Sequence, residues 1–359
     1  MKIVFWQNVL SIHQEALLVA LAERVEVWLV YEEELYESRK AMGWIAPKLE
    51  GVKKFSVDSI KQYEKDLLQE ISNDYHVFSG INTYEKISKY FKSFYKKKPE
   101  RIICLLEKPG GVSSGIKTYL RQLKYKFYAI KYRKLKLILT PGGENYLLNA
   151  GFSKDKIIPF GYFGPSIGEF EIESTDDTVQ FIYVGALDKR KNVSLIINAF
   201  KCFQGKTWHL SIVGDGEERG SLENQVNHLG LTKQVTFYGF KSNDDVKQFL
   251  KKSDCLILSS LHDGWGYVVN EAMASGCLII SSDACGVSSV VQTCAVCHVF
   301  ESNSTDALKD AIQKVLEQGG NLQDQKREVL SFFESHLSGK SGADIFYKAL
   351  TQNSDRGEK

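Results

Sequence analysis

Absences narrow the class of this chain first. Nowhere in its 359 residues does an apolar run approach the roughly 20 residues of a membrane-crossing helix. The N-terminus has no uninterrupted apolar segment either: Gln7, Asn8, His13, Gln14 and Glu15 break it, so it is read as part of the fold and not as an export signal. Seven cysteines, an odd number scattered through a chain without such a signal, read as reduced thiols of a cytoplasmic protein. No internal repeat or low-complexity tract is present. What remains is a length suited to two domains, with 43% apolar residues to give each a core.

The most informative stretch runs from Asp263 to Gly276, Asp-Gly-Trp-Gly-Tyr-Val-Val-Asn-Glu-Ala-Met-Ala-Ser-Gly. It sets two carboxylates, Asp263 and Glu271, eight residues apart across a glycine-rich turn that opens a helix. Gly264 and Gly266 let backbone approach a ligand closely. The N–H groups of a helix beginning near Tyr267 and Val268 offer partial positive charge to a diphosphate. Glu271, one turn in, is placed to accept hydrogen bonds from ribose hydroxyls. Gly276 stands where a left-handed cap closes the helix, and Cys277 to Ser282 reads as the next buried strand. From this stretch alone, an ordinary helix–strand unit would read the same way.

The preceding residues repeat the pattern. Phe181-Ile182-Tyr183-Val184-Gly185 is a strand ending in glycine, followed by Asp188-Lys189-Arg190-Lys191-Asn192 and an amphipathic helix through Phe200. Leu210 to Gly216 is a second strand-to-glycine unit, Val235 to Phe240 a third strand, and Cys255 to Ser260 a fourth leading into His262 and Asp263. Each puts polar residues beyond the carboxyl end of a strand, where a parallel doubly wound sheet delivers its ligand.

On these residues the chain resembles the glycosyl transferases group 1 family, retaining glycosyltransferases with two facing Rossmann-like domains, the GT-B architecture. The likeness covers about residues 178–290, through Gly185 to Asn192, Gly214-Asp215-Gly216, Tyr238-Gly239-Phe240 and the stretch 263–276. The family has a Glu, seven residues and a second Glu; here the first acid is Asp263, one methylene shorter, and the second is Glu271. The family also carries an Arg just after the first strand's glycine and a Lys about five residues later, both facing the donor diphosphate. Lys191 matches the Lys, but Ala186 stands at the Arg position, so either Lys189 or Arg190 substitutes or the donor is held less tightly.

The resemblance implies an α/β fold of two Rossmann-like domains facing a cleft, with the donor in the second. The nucleoside-diphosphate sugar would be held by Gly185, Lys189, Arg190, Lys191, Gly214, Tyr238, Gly239, Phe240, Gly264, Gly266, Tyr267, Val268 and Glu271. Asp263 would lie near the transferred sugar, and the helix start after Gly266 would stabilise charge on the leaving group. Retention of anomeric configuration and no required metal or other cofactor are implied too, and the absence of any Asp-X-Asp pair agrees with the latter. Closure about a linker would exclude water.

The first half opens β-α-β: a strand from Met1 to Trp6, a helix begun by Ser11-Ile12-His13-Gln14 and running to about Ala22, and a strand from Val25 to Tyr31. His13 therefore lies in a first helical turn beside a strand end, either as a solvated or capping histidine or as a contact to acceptor or donor sugar. Glu107 ends the strand-like Arg101 to Leu106 and precedes Lys108-Pro109-Gly110-Gly111. It is either paired with a local lysine or a second cleft-side candidate. Leu137 to Gly143 is another strand-to-glycine junction.

Charge is divided between the halves. Residues 1–165 hold 27 Lys and Arg against 18 Asp and Glu, and the remainder 19 against 26. From Lys108 to Gly143 the cations Lys108, Lys117, Arg121, Lys124, Lys126, Lys131, Arg133, Lys134 and Lys136 occur with no acid, interleaved with Tyr119, Tyr125, Phe127, Tyr128 and Tyr132, and Lys96-Lys97-Lys98 adds to them. A solvated helix face, nucleic acid and an anionic membrane all suit such a surface. The membrane, met through residues about 96–136, is favoured over nucleic acid because a lipid-linked acceptor explains why the acceptor half is the basic one.

Cys294-Ala295-Val296-Cys297-His298 has the spacing of a haem attachment site. Haem attachment needs export, a zinc site needs a second ligand pair, and the flanking Val290, Val291, Val299 and Phe300 suggest a short buried strand with structural cysteines. A linker is expected between Pro159 and Asp177, with the acidic run Glu169 to Asp177 in it. The expected domains are residues 1–165, rejoined by a helix at about 341–352, and residues 170–338; Asn353 to Lys359 reads as a polar tail. The expected activity is sugar transfer from a nucleotide sugar to a glycan acceptor, lipid-linked, in surface polysaccharide assembly at the inner membrane face. The alternatives are a sugar-nucleotide epimerase of the same architecture and a catalytically weak binding subunit.

Overall fold

The computed structural model describes residues 1–37, 46–62, 74–82, 84–107, 116–166, 178–317 and 321–352. The loop at Lys108 to Gly111, the acidic run Glu169 to Asp177 and the tail from Asn353 lie outside the described residues. The chain forms two compact units, Met1–Pro165 with Ser338–Lys359, and Ser166–Leu337.

The first unit contains β1 (Lys2–Val9), α1 (Ile12–Ala22), β2 (Glu26–Glu33), β3 (Val52–Ser56), α2 (Val57–Gln62), β4 (Tyr75–Ser79), α3 (Glu85–Lys97), β5 (Ile102–Leu105), α4 (Ile116–Lys131), β6 (Leu137–Thr140), α5 (Glu144–Asn149) and β7 (Ile157–Pro159). Its seven strands are parallel in the order β3-β2-β1-β4-β5-β6-β7. Both faces of such a sheet are covered, so its strands read as apolar runs. In β1, Ile3 and Phe5 enter one core cluster, while Val4 and Trp6 enter the other. Trp6 stacks on Tyr90 of α3 with ring centroids 4.9 Å apart, and its indole N–H donates to His76 Nδ1 at 3.1 Å. Ser11 caps α1, accepting from His13 N at 3.3 Å, which fixes His13 in the first turn.

The second unit contains β8 (Val179–Val184), α6 (Val193–Phe200), β9 (Trp208–Val213), α7 (Arg219–His228), β10 (Val235–Gly239), α8 (Asn243–Lys251), β11 (Cys255–Leu258), α9 (Val268–Ala274), β12 (Leu278–Ser282), α10 (Ser288–Val291), β13 (His298–Phe300), α11 (Thr305–Glu317) and α12 (Leu322–His336). Its six strands are parallel in the order β10-β9-β8-β11-β12-β13. A buried ion pair, Lys326 Nζ to Asp254 Oδ1 at 2.7 Å, pins α12 to the sheet, and Asp254 Oδ2 accepts from Gln180 N at 2.8 Å. The stretch around Cys294 is not one strand: Val290 and Val291 end α10, Cys297 N closes a turn on Cys294 O at 3.2 Å, and pairing resumes only at His298. Four helical residues are too few to show a helical period in sequence.

The chain then returns to the first unit as α13 (Gly339–Gln352). Ala343, Phe346 and Leu350 are buried with Leu17, Leu18 and Leu21 of α1. The Phe346 ring lies 5.9 Å from that of Phe5. Phe346→Ala is therefore expected to destabilise the first unit by about 3–5 kcal/mol, read as a lower urea midpoint for that unit. A change below 1 kcal/mol would mean that α13 does not contribute to the core as described.

Candidate functional site

In the second sheet β8 lies between β9 and β11, so the chain leaves neighbouring strands in opposite directions and opens a crevice at their carboxyl ends. Two glycines make the approach possible. Gly214, leaving β9, passes so close to the exit of β8 that a Cβ would meet Gly185 O at 1.8 Å. Gly266 adopts φ 93°, and a Cβ there would lie 2.7 Å from Leu258 of β11. Tyr183 hydroxyl donates to Ala186 O at 2.8 Å and shapes the first loop.

The loops after β8 and β11 are bound to each other. Asp188 Oδ1 accepts from Lys191 N at 2.9 Å, and Asn192 turns the chain at φ 53° into α6. From the second loop, Ser259 hydroxyl donates to Lys191 O at 2.8 Å, and Leu261 N donates to Arg190 O at 2.8 Å. Arg190 Nη1 donates to His262 O at 3.2 Å. At the centre Lys191 Nζ meets Asp263 Oδ2 at 2.6 Å, with side chains only 13% and 16% exposed, and Arg190 Nη1 is 3.6 Å from the same oxygen. Asp263 Oδ1 accepts from Trp265 N at 3.3 Å, and the Trp265 indole N–H donates to Asn270 Oδ1 at 2.8 Å, which braces the turn against α9.

A cavity of about 390 Å³ opens here, lined by Gly185, Ala186, Arg190, Lys191, Asp263, Gly266, Tyr267, Val268 and Glu271, with Val184 and with Asn243 and Val246 of α8. Burial pushes the Glu271 carboxyl up to about 7, with Lys247 opposing more weakly. The cavity thus pairs two cations with an acid poised between its charged and neutral forms. Of the residues expected from sequence to hold a ligand, Lys189, Gly214, Tyr238, Gly239, Phe240 and Gly264 are not in the lining. Gly214 stands behind it, Phe240 is exposed, and Tyr238 packs on Phe249 with centroids 4.6 Å apart. Of the two cations that the sequence left open beside Ala186, Arg190 is the one in the lining. The sequence reading missed Asn243 and Val246; the Ser242 cap of α8 was the available signal.

His13 and Glu107 belong to the other unit, where a residue that the sequence reading passed over joins them. Tyr162 hydroxyl donates to Glu107 Oε1, and the His13 ring meets the Tyr162 ring edge-on at 6.1 Å. All three lie beyond carboxyl ends of strands, after β1, β5 and β7. Burial, then the Glu107 charge, pushes the Tyr162 phenol well above its usual value, so it stays a proton donor. Tyr162 sits in a Gly-Tyr-Phe-Gly-Pro stretch that reads as a linker, which hid it.

Residues 169–330 match the family described as glycosyl transferases group 1. An uncharacterized glycosyltransferase of Methanocaldococcus jannaschii is 30% identical over 118 residues, covering 33% of this chain and 30% of that protein. The lipopolysaccharide 1,6-galactosyltransferase of Escherichia coli is 25% identical over 228 residues, covering 62% of this chain and 56% of its own length. The matched region is thus less than two thirds of either relative. The Anabaena protein HepE, solved with UDP, shares the fold over 98% of this chain and 100% of its own at a TM-score of 0.68 and 16% identity. The α/β architecture of two parallel-sheet units, GT-B, is therefore the fold of this chain.

The raised carboxyl of Glu271 has a signed consequence. Its stabilising contribution as a neutral group is complete below the ordinary carboxylate value of 4.5 and is lost as pH rises through about 7. Glu271→Gln keeps the group neutral. Relative to wild type it should gain at most about 3 kcal/mol of unfolding free energy between pH 5 and pH 8, measured by urea denaturation. Parallel pH profiles for the two proteins would mean that Glu271 titrates as in water.

Proposed function

We propose, on the premise that the stretch 169–330 belongs to the glycosyl transferases group 1 family, that this chain is a retaining glycosyltransferase. It would move a sugar from a nucleoside-diphosphate donor to a lipid-linked glycan acceptor in surface polysaccharide assembly. The observation that carries this reading is the cavity at the β8–β11 crevice, whose lining brings Arg190 and Lys191 together with Glu271. Glu271 accepts from the ribose hydroxyls, and the two cations neutralise the diphosphate. The first-turn amides after Gly266 stabilise charge that grows on the leaving group. Arg190 takes the place of the cation missing at Ala186. Asp263, held by Lys191 before the donor arrives, gives up part of that contact to the phosphates and turns toward the sugar. The UDP carried by the HepE structure supports a nucleotide donor, and the E. coli relative's name supports a polysaccharide acceptor.

On this reading the first unit takes the acceptor, with His13, Tyr162 and Glu107 as its polar groups, and sits at the cytoplasmic face of a membrane. The support is α4. Tyr119, Leu120, Leu123, Phe127 and Ile130 are between 42% and 75% exposed, and Tyr119, Leu123, Phe127 and Ile130 follow one another at three to four residues with Leu120 beside Tyr119, which puts them on one stripe. Lys124, Lys126 and Lys131 flank that stripe, and no acid occurs in the helix. An apolar stripe bordered by cations is the composition of a helix that lies in the plane of an anionic interface. No described helix is long and apolar enough to cross a membrane.

Two measurements test the proposal. Purified protein is given a panel of nucleotide sugars with membrane lipid extract, and nucleoside-diphosphate release is followed beside Glu271→Ala and Lys191→Ala. Each variant should lose about 10- to 100-fold in turnover, the worth of one charge-assisted hydrogen bond at ~1.5–3 kcal/mol. Epimer formation without release would replace the transferase with an isomerase, and donor binding without turnover would replace it with a binding subunit. For the membrane contact, Phe127→Glu with Ile130→Glu should cut co-sedimentation with phosphatidylglycerol vesicles at least about tenfold, as apolar area and charge attraction are both lost. Unchanged sedimentation would remove α4 from the interface.

A further inference from the structure

The cysteine motif is the one sequence feature that the proposed activity does not use, and it lies away from the cavity. Cys255, Cys277 and Cys297 stand at or just before the first residues of β11, β12 and β13, the amino-terminal edge of the second sheet, whereas the cavity lies at the carboxyl edge. Among the described residues no group of three or more His, Cys, Asp or Glu is placed to hold a metal ion, and two thiols alone do not make a zinc site.

The turn itself is built for a different chemistry. Cys297 N donates to Cys294 O at 3.2 Å, a tight four-residue turn that brings the ends within the Cα separation a disulfide spans. The side chains of Cys294 and Cys297 are hydrogen-bonded to each other. That bond holds the Cys294 thiol below its usual value and pushes Cys297 up. Burial raises Cys104, Cys255, Cys277 and Cys285 instead, so Cys294 is the buried cysteine whose proton is held less tightly than usual. Both thiols are buried, yet the turn is at the surface, with Gln292, Thr293 and Ala295 exposed around Cys294.

We propose that Cys294 and Cys297 are a redox-modified site, a dithiol that closes reversibly to a disulfide by exchange with a small disulfide such as glutathione disulfide. Cys294 thiolate attacks one sulfur of the oxidant, a protein–glutathione bond forms, and the first glutathione thiolate leaves. That thiolate takes the Cys297 proton, Cys297 attacks the Cys294 sulfur, and the second glutathione leaves. The protein loses two electrons and two protons, and the glutathione disulfide gains them. The bond ties the end of α10 to the start of β13. α10 itself begins at Ser288, directly after Gly286 and Val287, whose amides donate to Asp263 O at 3.1 Å and Trp265 O at 3.0 Å.

The test uses the whole wild-type chain in glutathione buffers of increasing oxidised fraction, quenched in acid, alkylated after unfolding and mapped by peptide mass. Cys202, the exposed thiol, reports that the oxidant is active. The expected result is an internal disulfide joining Cys294 and Cys297, reversed by dithiothreitol, with Cys104, Cys255, Cys277 and Cys285 still alkylated. In Cys297→Ser a glutathione adduct on Cys294 is expected in its place. Modification of Cys202 while Cys294 and Cys297 both stay reduced in the wild type at the most oxidising ratio would overturn the proposal. This result is independent of any sugar turnover.

Discussion

The contact between Lys191 and Asp263 is the interaction on which the candidate site depends. At 2.6 Å and largely out of solvent, it joins the loop after β8 to the loop after β11, and the bonds from the Ser259 hydroxyl to Lys191 O and from Leu261 N to Arg190 O hold the same junction. An ion pair this enclosed is screened less than a surface pair. Together with Asp188 Oδ2, 3.6 Å from Arg190, Asp263 keeps two positive charges beside a cavity from standing uncompensated. A doubly anionic ligand can take over those charges, because it offers Lys191 and Arg190 the oxygen partners that Asp263 supplies in its absence.

That junction is possible only because the sheet beneath it is rigid and its loops are small. β8 and β11 run side by side with Phe181 opposite Cys255, and both faces are packed, so the strand ends are fixed points. Gly214 and Gly266 remove the side chains that would hold the loops apart. Glu271 inherits its environment from the same packing: α9 is seven residues long and largely buried, so the Glu271 carboxyl is drawn out of water and its proton affinity rises. Lys326 and Asp254 fix the covering helix α12 from the far side. Removing one partner there would leave a buried charge uncompensated.

Period and punctuation made much of this legible. Apolar runs ending in glycine at Gly185, Gly214 and Gly239 mark strands that the structure contains, and Ser11 marks the start of α1 that it caps. Eight of the residues named for ligand contact, Gly185, Arg190, Lys191, Asp263, Gly266, Tyr267, Val268 and Glu271, line one cavity. Tyr162 was invisible because a tyrosine between glycines carries no pattern, and its hydrogen bond to Glu107 and ring contact with His13 distinguish it. Asn243 and Val246 reach the cavity from α8, which four elements separate from the loop after β8 and one, β11, from the loop after β11, a proximity with no signature in local sequence. The Cys294 segment reads as strand in the sequence because α10, with four residues, and β13, with three, are too short to repeat either pattern.

By itself the sequence determined the class of fold, the parallel sheets, the glycine turns and the chemical kinds of side chain available at their ends, because these follow from local period and backbone freedom. Tertiary structure alone decided which of those side chains meet. It chose Arg190 over Lys189 for the cavity, set Asp263 against Lys191, raised the Glu271 carboxyl, and placed Tyr162 between His13 and Glu107. The physical reason is common to all of them. Distance, burial and charge environment are properties of chain segments brought together from far apart, and local pattern does not carry them.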